Sequence, residues 1–355
     1  MAKNILQFQQ NIKEKDQIDL SRDLSILLRT GITINEAVIM IKSQTRSSLL
    51  KKLLAEIQVS VENGSTLSSA LDKSNYRLKS VFINLVKAGE ASGSLSQNLN
   101  FISEWIERNV QLKRNIKSVT LYPKIVISAA FILGMFLSIF ILPKLIPVFN
   151  SMSLELPMVT RIVLATAVFF RDKSWVVILT VLIAFILYKI ISKVIFTRRL
   201  LQNFYLATPF FGGLMKSYEL ALFSQLMSVL LKSGLTINQA FEVAGSETRN
   251  VPYNDSFIKI KDRLIQGVSL SESIKNFEKL YANNYSSIIL VGEKTGTLEE
   301  SFRNLADYYN KDIQSRTKDL PTIIEPILLL FIGIIVGVIA LSIILPIYQL
   351  SSGLQ

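Results

Sequence analysis

The sequence predicts an all-α integral membrane protein: two tandem cytoplasmic antiparallel helical bundles, about six helices each, plus three transmembrane helices. Three observations carry this expectation. Of the 355 residues 50% are hydrophobic and only 19% charged, with a mean hydropathy of +0.38, whereas soluble domains carry about 25% charged residues. The apolar residues are gathered into a few long runs. The polar remainder repeats itself at a constant offset of 203 residues.

Composition removes whole classes of chemistry. Cysteine and histidine are both absent, which excludes disulfides, thiolate or imidazole metal sites, Cys or His nucleophiles and every Ser-His-Asp triad. No catalytic residue, cofactor site or metal site is expected. The net charge of +12 and pI of 9.6 fit cytoplasmic faces beside anionic lipid, and no nucleic acid partner is expected.

Taken in chain order, residues 1–19 form an N-terminal segment with Lys3, Lys13, Glu14, Lys15, Asp16 and Asp19. It has no apolar core or small-residue cleavage site, so no signal peptide is expected. Bundle 1 is placed at 20–120. Transmembrane helix 1 is placed at 121–149, around the uncharged run Ile125 to Leu142 between Pro123 and Pro143. A short extracytoplasmic loop, 150–173, follows. Within it Pro157 to Phe170 is too short and, with Arg161, too polar to span, and reads as interfacial or re-entrant.

Transmembrane helix 2 is placed at 174–197, bundle 2 at 198–322 and transmembrane helix 3 at 323–350, with an extracytoplasmic tail at 351–355. In spans 1 and 3 the bracketing prolines (Pro123 and Pro143, Pro326 and Pro346) stand twenty residues apart, about 30 Å of helix. Orientation follows from basic residues beside the spans. Arg108, Lys113, Arg114, Lys117 and Lys124 precede the first, Lys189, Lys193, Arg198 and Arg199 close the second, and Lys311, Arg316 and Lys318 precede the third. Both bundles are therefore expected in the cytoplasm and the C-terminus outside.

The repeat is the most informative feature. Leu20 to Ala37 and Phe223 to Ala240 share nine of eighteen residues. The same offset pairs Gly31 with Gly234, Gly64 with Gly267, Gly89 with Gly292, Gly93 with Gly296, Pro123 with Pro326 and Pro143 with Pro346. Each copy is a polar helical domain followed by a span, and the second span returns the chain to the starting side. Gly31 and Gly234 sit where helices end, and Thr33 with Glu36 and Thr236 with Gln239 predict capping boxes. Further boxes are expected at Ser94 with Gln97, Ser269 with Glu272 and Thr297 with Glu300. Strand alternation is missing.

Gly292-Glu-Lys-Thr-Gly-Thr-Leu298 invites a phosphate-loop reading and fails it. The spacing between glycines is three rather than four, and the first copy, Gly89-Glu-Ala-Ser-Gly93, has no lysine. Both read as corners between helices. Glu90 and Glu293 recur in register, either pairing with a basic group of the bundle or a partner, or acting as solvated or capping carboxylates. Glu325, before Pro326, sits on the N-terminus of span 3, where the dipole favours it. The alternative is a contact for a positive group on a membrane-embedded partner. Gly333 and Gly337 form a Gly-x-x-x-Gly suited to helix packing. No charged residue lies mid-span, which argues against the competing readings of transporter or channel subunit. A membrane enzyme would need clustered surface carboxylates or a Ser/Lys pair, and only Glu325 qualifies.

Together Leu-Leu-x-x-Gly-hydrophobic-Thr-hydrophobic in each copy (Leu27 to Ile34 and Leu230 to Ile237), Gly-Glu-x-x-Gly-x-Leu, Glu325-Pro326 entering the last span and Pro346 leaving it resemble the GspF/PilC family. These are inner-membrane platform proteins of type II secretion and type IV pilus machines. The resemblance runs from about Leu20 to Leu350. It implies a non-enzymatic assembly role, coupling a cytoplasmic hexameric assembly ATPase to pilin or pseudopilin subunits entering a growing fibre. It also implies contact with other inner-membrane alignment proteins of the machine, and a homo-oligomer.

Overall fold

The computed structural model describes residues 10–119, 121–136, 173–191, 195–208 and 211–352, with scattered positions between 140 and 169. Pro143, most of Pro157 to Phe170 and the tail beyond Ser352 lie outside the described residues. Two compact units are formed, Met1–Arg114 with Arg199–Ile313, and Asn115–Arg198 with Gln314–Gln355. Both repeats' polar helices therefore share one unit.

The first repeat folds as α1 (Glu14–Arg29), α2 (Ile34–Gln44), α3 (Ser48–Glu62), α4 (Leu67–Asp72), α5 (Ser80–Ser92) and α6 (Leu95–Val119). Next come α7 (Leu121–Phe136), α8 (Ser174–Ile191) and α9 (Ile195–Ala207). The second repeat follows as α10 (Phe211–Lys232), α11 (Ile237–Glu247), α12 (Val251–Ile265), α13 (Leu270–Lys275), α14 (Asn283–Thr295) and α15 (Leu298–Ser352). Helices α2 to α5 and α11 to α14 share both boundaries at the 203-residue offset, so the local signals, not only the fold, are duplicated.

Those signals are physical. Gly31, Gly64 and Gly93 and their counterparts Gly234, Gly267 and Gly296 all take positive φ, where a Cβ is penalised. At the first helix end the Ile32 amide donates to Leu27 O at 3.2 Å, and the Leu235 amide repeats this to Leu230 O at 3.1 Å, satisfying carbonyls the helix leaves open. Both capping boxes form, Thr33 with Glu36 and Thr236 with Gln239. At α13 the Ser269 side chain accepts from the Glu272 amide, while the Glu272 carboxylate lies 3.8 Å from Arg263.

One local feature departs from the all-helical expectation. Gln10–Asn11 pairs in parallel with Tyr76–Arg77, tying the start of α1 to the α4–α5 connection. Two residues are too few to show any alternation.

The two cores fill equivalent positions differently. Leu20, Val38, Leu50, Leu54, Leu78, Leu99 and Ile106 in the first bundle are replaced by Phe223, Phe241, Tyr253, Phe257, Tyr281, Phe302 and Tyr309 in the second, all buried. The aromatic core stacks, with Phe223 and Phe257 rings 4.3 Å apart. Its hydroxyls need partners. Tyr253 donates to Leu280 O at 2.9 Å, and Tyr281 and Tyr285 pair with Ser256 and Ser224 at 2.9 and 2.8 Å.

In the second unit the helices bury little. Phe131, Ile132, Trp175, Phe185, Leu330 and Ile344 are all more than half exposed. Among the described residues one helix, within Leu298–Ser342, is long and apolar enough to cross a membrane, and Lys124–Phe136 is a shorter apolar helix. The sequence treats the last bundle helix and span 3 as separate elements. They are one continuous helix, α15, which runs through Pro321, Pro326 and Pro346 without a break.

Candidate functional site

The Gly-Glu-x-x-Gly motif builds the same corner twice. At the first position of the motif the α5–α6 and α14–α15 pairs approach closely. A Cβ on Gly89 would lie 2.8 Å from Leu95 Cα, and one on Gly292 would lie 2.1 Å from Ser301 Oγ. Only glycine leaves that space. At the last position Gly93 and Gly296 turn the chain in the left-handed region, with φ of 71° and 74°.

Between them the glutamate reaches sideways. Glu90 accepts from the Leu67 and Ser68 amides at 2.6 and 3.1 Å, and Glu293 from the Leu270 and Ser271 amides at 2.6 and 3.1 Å, with Ser271 Oγ at 2.8 Å. Each carboxylate thus caps the N-terminus of the short helix α4 or α13, satisfying orphan donors with a charge the dipole favours. Of the alternatives open in the sequence, capping is the contact formed. The corner is a three-part joint that locks α4, α5 and α6 together, and α13, α14 and α15 likewise.

The second candidate is the seam between the repeats, which the sequence did not single out. Helix α5 of the first repeat packs on α11 of the second. Glu247 accepts from the Val81 amide at 3.0 Å, capping the N-terminus of α5, and Ser246 Oγ donates to Ser80 Oγ at 2.9 Å. Lys232 lies over the Phe101 ring at 4.7 Å. Beside the seam lies an open cleft of about 1160 Å³ lined by polar and apolar groups, among them Glu14, Lys79, Trp105, Lys113 and Glu219.

Electrostatics at the seam are set by burial and by two lysines. Burial pushes the Glu14 carboxyl up, but Lys113 at 2.8 Å and Lys79 at 3.2 Å more than reverse this, leaving it below the usual carboxylate range. Among the described residues Glu219 has no such cation. Burial raises its carboxyl to about 7, opposed only by a hydrogen bond from Asn250. Its neighbour Tyr218 is raised to about 12 by burial, with Glu219 and Glu14 adding to the shift. The repeat carried a trace of this pair: Asp16 accepts from Ser47 at 2.7 Å at the positions equivalent to Glu219 and Asn250.

The raised Glu219 pKa makes a pH prediction. Between about pH 4.5 and 7 the folded carboxyl keeps its proton while the unfolded one loses it, so stability falls as pH rises through that window and levels off above it. Glu219→Gln is expected to flatten this slope and to raise stability at pH 8 by on the order of 1 kcal/mol or more. Thermal unfolding of the solubilised protein at pH 5 and pH 8 measures both.

The remaining sequence candidates lie elsewhere. Glu325 and Pro326 are exposed on α15. Gly333 and Gly337 follow on the same helix, and among the described residues no atom lies within 4 Å of where their Cβ atoms would be. Among the described residues there is no cluster of three or more acidic side chains able to hold a metal ion.

Paired six-helix repeats, each continued by an apolar helix and joined through a shared seam, define a class of tandem-repeat proteins, with one helix among the described residues long and apolar enough to cross a membrane. The chain belongs to the family of type II secretion system protein F. The family profile matches residues 20–143 and again 223–346, more than half of the chain and both copies of the repeat. It is 28% identical to the type IV pilus assembly protein PilC of Thermus thermophilus, over 95% of this chain and 82% of that protein. It is 26% identical to PilC of Pseudomonas aeruginosa, over 96% and 91%. To the type II secretion system protein F of P. aeruginosa it is 24% identical, over 98% and 85%.

Proposed function

We propose that the protein is the inner-membrane platform of a type IV pilus or type II secretion machine. A cytoplasmic hexameric ATPase grips the two bundles, and the movement is passed to pilin or pseudopilin subunits leaving the bilayer for the fibre, beside the machine's other inner-membrane alignment proteins. The observation that carries this reading is the match of both repeats to the protein F family, whose relatives include pilus assembly proteins.

Two features support the mechanics. Helix α15 runs unbroken from the second repeat's corner into its apolar stretch, and a continuous helix transmits displacement along its axis. The large apolar side chains exposed on α7, α8 and α15 need lipid or a partner to cover them, as three spans would provide. Three spans keep both basic-flanked bundles on the cytoplasmic side.

A clean in-frame deletion tests the role. Processed pilin or pseudopilin is expected to accumulate in the membrane while surface fibres or secreted proteins disappear. Unchanged fibres and secretion would remove assembly as the function.

A further inference from the structure

The seam between the repeats is one-sided. It packs α5 of the first repeat on α11 of the second, with α4 and α10 lining the cleft beside them, and each repeat carries the equivalent of both faces. If the contact were a pseudo-twofold, Gln44, the counterpart of Glu247, would cap α14 at Asn284, the counterpart of Val81. Instead both Gln44 and Asn284 are exposed. Met40 is 40% exposed where its counterpart Val243 is 5% exposed, and Val291 is 62% exposed on α14. A contact that joins two different faces leaves one of each kind unused and can be repeated by the next molecule.

We propose that the chain self-associates head to tail, the free α1–α2 face of one copy receiving the α13–α14 face of a second copy in the manner of the internal seam. This deepens the platform reading, in which a homo-oligomer is expected, by assigning the faces. Chemistry on the two free faces is complementary. Asp19 and Asp23 stand on α1 where the covered face of the second repeat has Leu222 and Leu226, and the opposing free face carries exposed Lys275, Lys279 and Lys294 beside a single exposed carboxylate between them, Glu278. Burial, then Asp19, pushes the Asp23 carboxyl up, with Arg22 on the same helix opposing. Apolar Met40 and Val291 would be covered, and the Gln44 side-chain oxygen would cap α14. Opposite charge across such an interface sets register and direction.

The absence of native cysteine makes the test clean. Ser80→Cys with Ser246→Cys reports the internal seam by an intrachain disulfide and shows that the fold is intact. Gln44→Cys and Asn284→Cys, each as a single variant, are then co-expressed in the membrane and oxidised. A covalent dimer only in the mixture, lost when Met40→Arg is added to the Gln44→Cys chain, is the expected result. Disulfides between identical positions would mean a twofold interface and overturn the proposal. So would absence of any dimer while the internal disulfide forms. The readout does not depend on fibre assembly, so it can fail without the platform role failing, and the reverse.

Discussion

Replacing Glu293 with lysine is expected to destabilise the second bundle by about 3 kcal/mol, since it removes a helix cap and sets a cation against backbone donors. The carboxylate accepts from two amides and a hydroxyl at the start of α13, and lysine can accept from none. Glu293→Gln keeps acceptor capacity and should cost about 1 kcal/mol. Reversing Glu90 and Glu293 together should abolish assembly, through loss of folded bundles rather than loss of a partner contact. Limited proteolysis of the membrane-inserted variants separates the two. If the double variant resists protease like the parent yet no longer assembles fibres, the glutamates act on a partner.

Gly292→Ala should be comparably damaging, by about 1–3 kcal/mol, because its Cβ would overlap Ser301 Oγ at 2.1 Å and approach Ser301 Cβ at 2.8 Å. Gly296→Ala fails for a different reason. It has open space around it but a φ of 74°, and should cost about 1–2 kcal/mol. Gly333→Ala is the control, with neither a close neighbour nor a positive φ, and should leave the bundle's unfolding midpoint unchanged. Midpoints of the three variants in detergent check the order.

The repeat, its register and its corners were legible because they rest on residues with singular backbone roles. Gly31, Gly64 and Gly93 recur as Gly234, Gly267 and Gly296, and all six adopt the conformation glycine alone tolerates well. Capping boxes were equally readable, since Thr33 and Glu36 meet over three residues. The role of Glu90 and Glu293 was not readable. Their partners lie 22 and 23 positions away, and a carboxylate at a corner serves a cation as well as an amide.

The seam was hidden for a related reason. Val81, Glu247, Ser80 and Ser246 are ordinary residues at a separation of 166, with no period to betray them. Met40 is exposed and its counterpart Val243 buried, and that difference between the free face and the covered one exists only in three dimensions. The continuity of α15 escaped notice too, because proline in a sequence reads as a helix boundary. In an apolar segment it is tolerated where neighbouring groups satisfy the freed carbonyls.

Everything proposed about force transfer rests on both bundles facing the same aqueous side. Single cysteines at Val59 in the first bundle, Ile265 in the second and Ser153 in the stretch expected from the sequence to be extracytoplasmic report this directly, because the chain offers no other thiol. Val59 and Ile265 are 58% and 64% exposed, so a membrane-impermeant maleimide reaches them if it reaches their compartment. Labelling of intact spheroplasts is expected at Ser153→Cys alone, with Val59→Cys and Ile265→Cys reacting only after the membrane is opened. Labelling of Ile265→Cys in intact spheroplasts, with Val59→Cys protected, would place the bundles on opposite sides and contradict the account.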